Sequence, residues 1–135
     1  MESKIIQRYK KKSTKDLLRI ATKHFNKFIR ERDSHNHRGQ CISSRNWMYV
    51  PSSNAHAGHF YSSGKYPRLR FNENNVHLQS KSDNYFGHGN LNDYRINLIE
   101  KIGITEVKKL DTIARDRSPF KWDRFFIIGI IEKYK

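Results

Sequence analysis

The chain has 135 residues, 36% of them apolar, and carries 27 Lys and Arg against 13 Asp and Glu, a formal net charge of +14. This length suits one domain with a modest core, and the charge points to a polyanionic partner: DNA or RNA before an anionic membrane surface. No apolar run approaches the ~20 residues of a membrane span, the N-terminus lacks the apolar stretch of a secretory signal, and the single cysteine, Cys41, excludes an internal disulfide, so a cytosolic setting is expected.

Residues 1–12 are basic and polar, with Tyr9 to Lys12 reading YKKK. They are expected to form a flexible, solvated terminus or a phosphate-contacting arm. A single domain is expected to fill 13–135. From Ser13 the pattern turns helical. Ser13 can cap with Asp16 three residues on, and Leu17, Leu18, Ile20, Ala21, Phe25, Phe28 and Ile29 recur at three- and four-residue steps to about Arg32. The opposite face carries Lys15, Arg19, Lys23, Lys27 and Arg30.

Residues 33–54 are rich in turn formers, with a short strand expected near Trp47 to Val50. His35 and His37 lie there without acidic or cysteine neighbours at ligand spacing, so they read as loop histidines. His56 to Phe60 and about Leu69 to Leu78 are expected to pair as a hairpin across a loop with Gly64 and Pro67. Asn84 is expected at the start of a short helix. A further helix from Asn90 or Asn92 should end at Gly103, and another begins near Thr105. Ser118-Pro119 reads as a cap followed by a first helical proline. The last helix would then pack Trp122, Phe125, Phe126, Ile128 and Ile131, with Gly129 costing it ~1 kcal/mol.

The stretch from His56 to Asn90 carries the chemistry. Its segments AGHF (57–60), LRFNENNVHLQ (69–79), DN (83–84) and GNLNDYRINLIEKIG (89–103), with FNKFIRERD (25–33) and CISS (41–44) before them, resemble the phage lambda NinG (Rap) recombination proteins. These are a branch of the HNH, ββα-metal nucleases, and the resemblance spans roughly 13–115. It implies an α+β fold: an N-terminal helix, a central HNH-like hairpin and helix, and C-terminal helices. It also implies a phage or prophage protein in the cytoplasm of a bacterial host.

Phosphodiester hydrolysis needs a base for water, and a neutral histidine is suited to that task. The resemblance gives the role to His59, with Asn75 orienting the site. It also implies a divalent cation at the scissile phosphate, with Asn84 as one ligand. His56, where relatives can carry Asp, is the other. A nitrogen ligand favours Mn or Zn over Mg, so Mg, Mn and Zn all stay open. His77 shares the face of Asn75 on a strand and is either a further ligand or a packed structural histidine. Lys65, Arg68, Arg70, His88 and Arg95 are candidate DNA contacts, with surface ion pairing as the alternative for the arginines and a plain loop residue, between Gly87 and Gly89, as the favoured reading of His88.

Relatives carry two CxxC pairs that hold a structural zinc. Here those positions are Cys41, Ser44, Ser80 and Asp83. Serine is a poor zinc ligand, so the tetrathiolate zinc is expected to be absent. Hydrogen bonds among Ser44, Ser80 and Asp83, or packing of Trp47 and Tyr85, should close the knuckle instead. The expected function is a metal-dependent endonuclease on branched DNA such as Holliday junctions or D-loops, with a recombinase as its expected partner and a homodimer suiting a symmetric junction. The alternatives are a basic DNA-binding protein on a relic nuclease fold, and an RNA binder.

Overall fold

The computed structural model describes residues 2–135. Helix α1 (Ser3–Arg8) is followed by the long α2 (Thr14–Arg32). Ser13 caps α2, its hydroxyl accepting from the Asp16 amide at 3.1 Å. Leu17, Ala21, Phe25 and Ile29 recur every four residues and are all buried, which is the stripe the periodicity requires. They meet Ile127, Ile128 and Ile131 of the last helix, α5 (Arg124–Tyr134), together with Ala57, Phe71 and Val76. Burying such side chains contributes ~2 kcal/mol each, so this pairing anchors one half of the molecule.

Next comes a three-stranded antiparallel sheet, β1 (Ser34–His35), β2 (Arg38–Gln40) and β3 (Trp47–Tyr49), in that order. Only β3 was legible as a strand. The β1–β2 turn is made by Asn36 and His37 at φ 52° and 62°, the left-handed pair that a two-residue hairpin needs. Gly39 faces inward: a Cβ there would lie 2.4 Å from Leu78.

The central hairpin pairs β4 (Ala55–His59) with β5 (Val76–Ser80), His59 opposite Val76 and Gly58 opposite His77. The second strand starts later than the expected Leu69. Residues Pro67–Leu69 and Glu73–Asn75 are 3₁₀ turns, the latter capped by Asn72. A proline and an Asx cap therefore override the strand-like composition of this segment. After β5 comes one π-type turn, Ser82–Phe86, closed by the Gly87 amide on the Ser82 carbonyl at 2.8 Å. Then follow α3 (Leu91–Ile102) and α4 (Ile104–Arg115), separated by Gly103 at φ 91°. Tyr94, Leu98, Val107 and Leu110 of this pair bury against Ile42, Phe60 and Leu69. The mixed α+β architecture thus places the hairpin between two helical pairs, α2–α5 and α3–α4.

Two expectations at the termini need correction. The N-terminal segment is docked: Tyr9 is only 6% exposed. Its hydroxyl donates to Glu132 at 2.9 Å, and Arg124 donates to the carbonyls of Tyr9 and Lys12. At the other end, Ser118-Pro119 does not start a helix. The Ser118 amide and hydroxyl both turn back to the Asp116 carboxylate, at 3.0 and 2.6 Å. Helix α5 begins instead behind Asp123, whose carboxylate accepts from the amides of Phe125 and Phe126. That shift leaves Trp122 outside the helix and Phe125 and Phe126 exposed.

Candidate functional site

His59 closes β4 and is half-buried. Its Nε2 lies 3.0 Å from the Arg70 carbonyl. A carbonyl only accepts, so Nε2 carries the proton and Nδ1 keeps the lone pair. Burial lowers the basicity of the ring, the Arg70 carbonyl partly offsets this, and the Arg70 charge lowers it further. The imidazole is therefore neutral at pH 7, with Nδ1 as its basic atom.

Asn75 is fully buried and does not touch His59. Its Oδ1 accepts from the Tyr61 amide at 2.9 Å, while Nδ2 donates to the carbonyls of Tyr61 and Leu69 at 2.9 and 3.0 Å. All these bonds go to backbone. Asn75 clamps the two ends of the loop between β4 and β5, and so sets where His59 and Arg70 meet. The expected contact with the imidazole is not made; any influence of Asn75 on His59 would run through the main chain.

His59 and Asn84 line one cleft of about 570 Å³, with Lys65, His88 and Arg95 also in its wall. Five of the expected site residues, drawn from β4, the loop, the π-type turn and α3, thus converge. His56 joins them through Asn84: the carboxamide nitrogen lies 3.2 Å from His56 Nδ1, and Tyr85 packs edge-on against the same ring. Burial, opposed by a backbone bond at Ser53 and aided by the charges of Lys81 and Arg30, lowers the His56 pKa. That keeps the ring in the neutral form ligation requires. Arg95 is tied to Asp111 through both terminal nitrogens, at 3.0 and 2.8 Å, so its charge is largely balanced.

Three other expected residues lie elsewhere. Arg70 sends its guanidinium to Thr22 of α2 at 3.0 Å; it serves the site with its carbonyl. Arg68 binds the carbonyl and hydroxyl of Ser118 and stacks on Phe120, pinning the segment before α5. His77 is 1% exposed, with both ring nitrogens occupied. Nε2 meets the Asn74 carbonyl at 2.8 Å, and Nδ1 faces Lys101 at 2.8 Å and Arg32 at 3.1 Å. Burial first, then the Lys101 charge, pushes its pKa down to about 3. It is a structural histidine with no lone pair left for a cation. Asp33 sits beneath it, 3.0 Å from Lys101 and accepting from the Leu78 amide at 2.9 Å. Burial raises the Asp33 pKa, but Arg32, Lys101 and that amide outweigh it and hold it at about 2.

The knuckle positions do come together. Cys41 Sγ receives the Ser80 amide at 3.3 Å and lies 3.5 Å from the Asp83 carboxylate. The expected Ser80–Asp83 bond is there, the Asp83 amide donating to the Ser80 hydroxyl at 3.3 Å, and Ser43 adds a second hydroxyl, donating to Asp83 at 2.7 Å and accepting from Gln79 at 3.1 Å. Ser44 instead accepts the Asn46 amide, and Trp47 and Tyr85 are each 61% exposed, so neither closes the knuckle.

Two of the expected cation donors, the imidazole of His56 and the carboxamide of Asn84, stand side by side; His56 lies outside the cleft lining and its Nδ1 accepts from the Asn84 amide nitrogen, so a cation would have to displace that hydrogen bond. Among the described residues no group of three or more His, Cys, Asp and Glu is placed to hold a metal, and no carboxylate lines the cleft. A cation held by this pair would have to complete its shell with water, and the nitrogen member would favour Mn or Zn.

A family model described as the bacteriophage lambda NinG protein matches residues 2–135. The chain belongs to the NinG family. Protein ninG of Salmonella phage P22 is 40% identical over 97 residues, covering 72% of this chain and 43% of the P22 protein. Protein ninG of Escherichia phage lambda is 38% identical over the same length and coverage, and that of Enterobacteria phage H19B is 38% identical with 44% of it covered. The chain thus spans less than half the length of these NinG relatives. No solved structure matches it. No helix among the described residues is long and apolar enough to cross a membrane.

Sequence reasoning missed Arg70 as a carbonyl acceptor, since any residue has one, and missed Ser43 and Gln79 in the knuckle. The residues Val76 to Ser80 gave no hint through alternation, because every residue of β5 is buried.

Proposed function

We propose that this NinG chain is a metal-dependent DNA endonuclease of phage recombination, built on an HNH-like ββα finger and acting on branched DNA such as Holliday junctions or D-loops. One observation carries the reading: the Arg70 carbonyl occupies His59 Nε2 and leaves Nδ1 as the basic atom of a residue that lines a cleft with Asn84, Lys65 and Arg95. Nδ1 takes a proton from water, the water oxygen attacks phosphorus, and the bond to the 3′ oxygen breaks. Lys65 and His88 approach the phosphates, and Asn75 keeps the loop from shifting the base. His56 and Asn84 would hold a divalent cation, which supplies charge neutralisation at phosphorus and at the leaving oxygen. A two-fold dimer suits symmetric cutting of a four-way junction, and a recombinase is the partner such an activity would serve.

The test is incubation of a labelled four-way junction with the protein in Mn or Mg. Metal-dependent cleavage that His59→Ala abolishes supports the reading, and cleavage by His59→Ala at the parent rate removes it. A second reading, a basic DNA-binding protein without catalysis, is favoured by the small donor set at the cleft. It predicts steeply salt-dependent binding with no cleavage in any metal.

A further inference from the structure

The β1–β2–β3 sheet has one buried and one open face. Gly39 and Met48 point inward to Leu78. Trp47 and Tyr49 point outward, 61% and 72% exposed. The register sets Arg38 opposite Tyr49 and Gln40 opposite Trp47, and the Arg38 guanidinium lies 5.6 Å over the Trp47 ring. A single exposed aromatic is unremarkable on a protein surface. Two at alternate positions of one strand, with an arginine between them and no carboxylate among the outward residues of β2 and β3, form a platform with a definite chemistry.

The flank reinforces it. Trp47 and Arg38 also edge a cleft of about 590 Å³, where Arg32, Arg45 and Lys101 meet Asp33 and Glu100, leaving cations in excess. This cleft shares no lining residue with that of His59; α3 stands between them, giving Arg95 to one and Lys101 to the other.

We propose that this open sheet face binds single-stranded DNA, with Trp47 and Tyr49 stacking on unpaired bases and Arg38 taking a phosphate between them. Cationic surroundings select a polyanion, and flat rings select exposed base faces. In a duplex each base is covered on both faces by its neighbours, so only an unpaired strand offers what these rings recognise. The surface requires only the DNA-binding part of the functional reading and none of its catalysis.

The experiment uses the full chain in EDTA, with a labelled oligothymidylate of about 20 nucleotides and a duplex of the same length, a span that exceeds one binding site. Trp47→Ala with Tyr49→Ala should weaken oligothymidylate binding by roughly tenfold or more, while duplex binding changes by less than about twofold. Trp47→Phe with Tyr49→Phe, which keeps both rings, should retain most of the affinity. Circular dichroism and thermal melting of each variant establish that it is folded. Unchanged oligothymidylate binding by the folded double-alanine variant, or an equal loss for both DNAs, overturns the proposal. So does a preference of the parent for oligouridylate, or an aromatic-dependent dimer in sedimentation. His59→Ala should bind oligothymidylate like the parent, so failure of the cleavage reading and failure of this one are read separately.

Discussion

His59 and His77 sit on neighbouring rungs of one hairpin, yet their surroundings leave them chemically unlike. His77 lies on the α3 side, with both nitrogens occupied and two cations, Arg32 and Lys101, against its ring. His59 lies at the strand end, with one nitrogen held by a carbonyl and the other left basic beside a cleft. Residue type says nothing of this difference. What separates a structural from a reactive imidazole is whether one lone pair stays unspent after folding.

Replacing the two histidines should break that comparison most sharply. His59→Ala is expected to lower junction cleavage by roughly 10²- to 10⁴-fold, the range of a general base, with its urea midpoint near that of the parent. His77→Ala is expected to do the reverse, lowering the urea midpoint while the folded fraction retains cleavage. Equal losses of activity in the two would erase the distinction.

Asn75→Ala removes three bonds to buried backbone groups of the loop. Leaving such groups unpaired costs ~1–3 kcal/mol each, so the variant should be destabilised by about 3 kcal/mol in urea unfolding and lose cleavage as well. A variant of parental stability would show that the clamp is not what positions the base.

The pH dependence of stability reports on Asp33 and His77, with the lowered pKa values of His56 and His59 adding the same sign below about pH 6.5. Asp33 is held at about 2 in the folded chain, below its unfolded value. Its stabilisation is present above about pH 4 and lost as pH falls toward 2, about 2 kcal/mol in all. His77 is held at about 3, also below its unfolded value. Between its unfolded and folded values the unfolded chain binds the proton and the native chain does not, so stability already declines as pH drops below about 6.5. The two effects have the same sign. His77→Gln should flatten the slope above pH 4 and leave the steeper loss below it, as read by thermal melts at successive pH values.

The smallest effect is expected in the knuckle. Ser43→Ala removes one donor to Asp83 and should cost about 1 kcal/mol, measured by urea unfolding. Ser44→Ala, whose hydroxyl accepts the Asn46 amide of its local turn, should cost less.

Much of this was open to reading before any coordinates. The α2 stripe, the Ser13 cap and the break at Gly103 are local properties, and all three appear where the periodicity put them. Trouble came where composition and context competed. Leu69 to Asn75 has strand-like residues but is drawn into turns by Pro67 and Asn72. Ser118 was outbid by Asp123 because Asp116 already held its hydroxyl. The β1–β2 hairpin was hidden because its strands are only two and three residues long, too short for a period to show.

By itself, the order of residues determined the charge, the amphipathic helices, the family, and which imidazoles and carboxamides were candidates. Only tertiary structure decided among those candidates. A lone pair is free or spent according to groups far away in the chain: Lys101 and Arg32 for His77, the Arg70 carbonyl for His59. Such partners are chosen by packing, and packing leaves no local mark in the sequence.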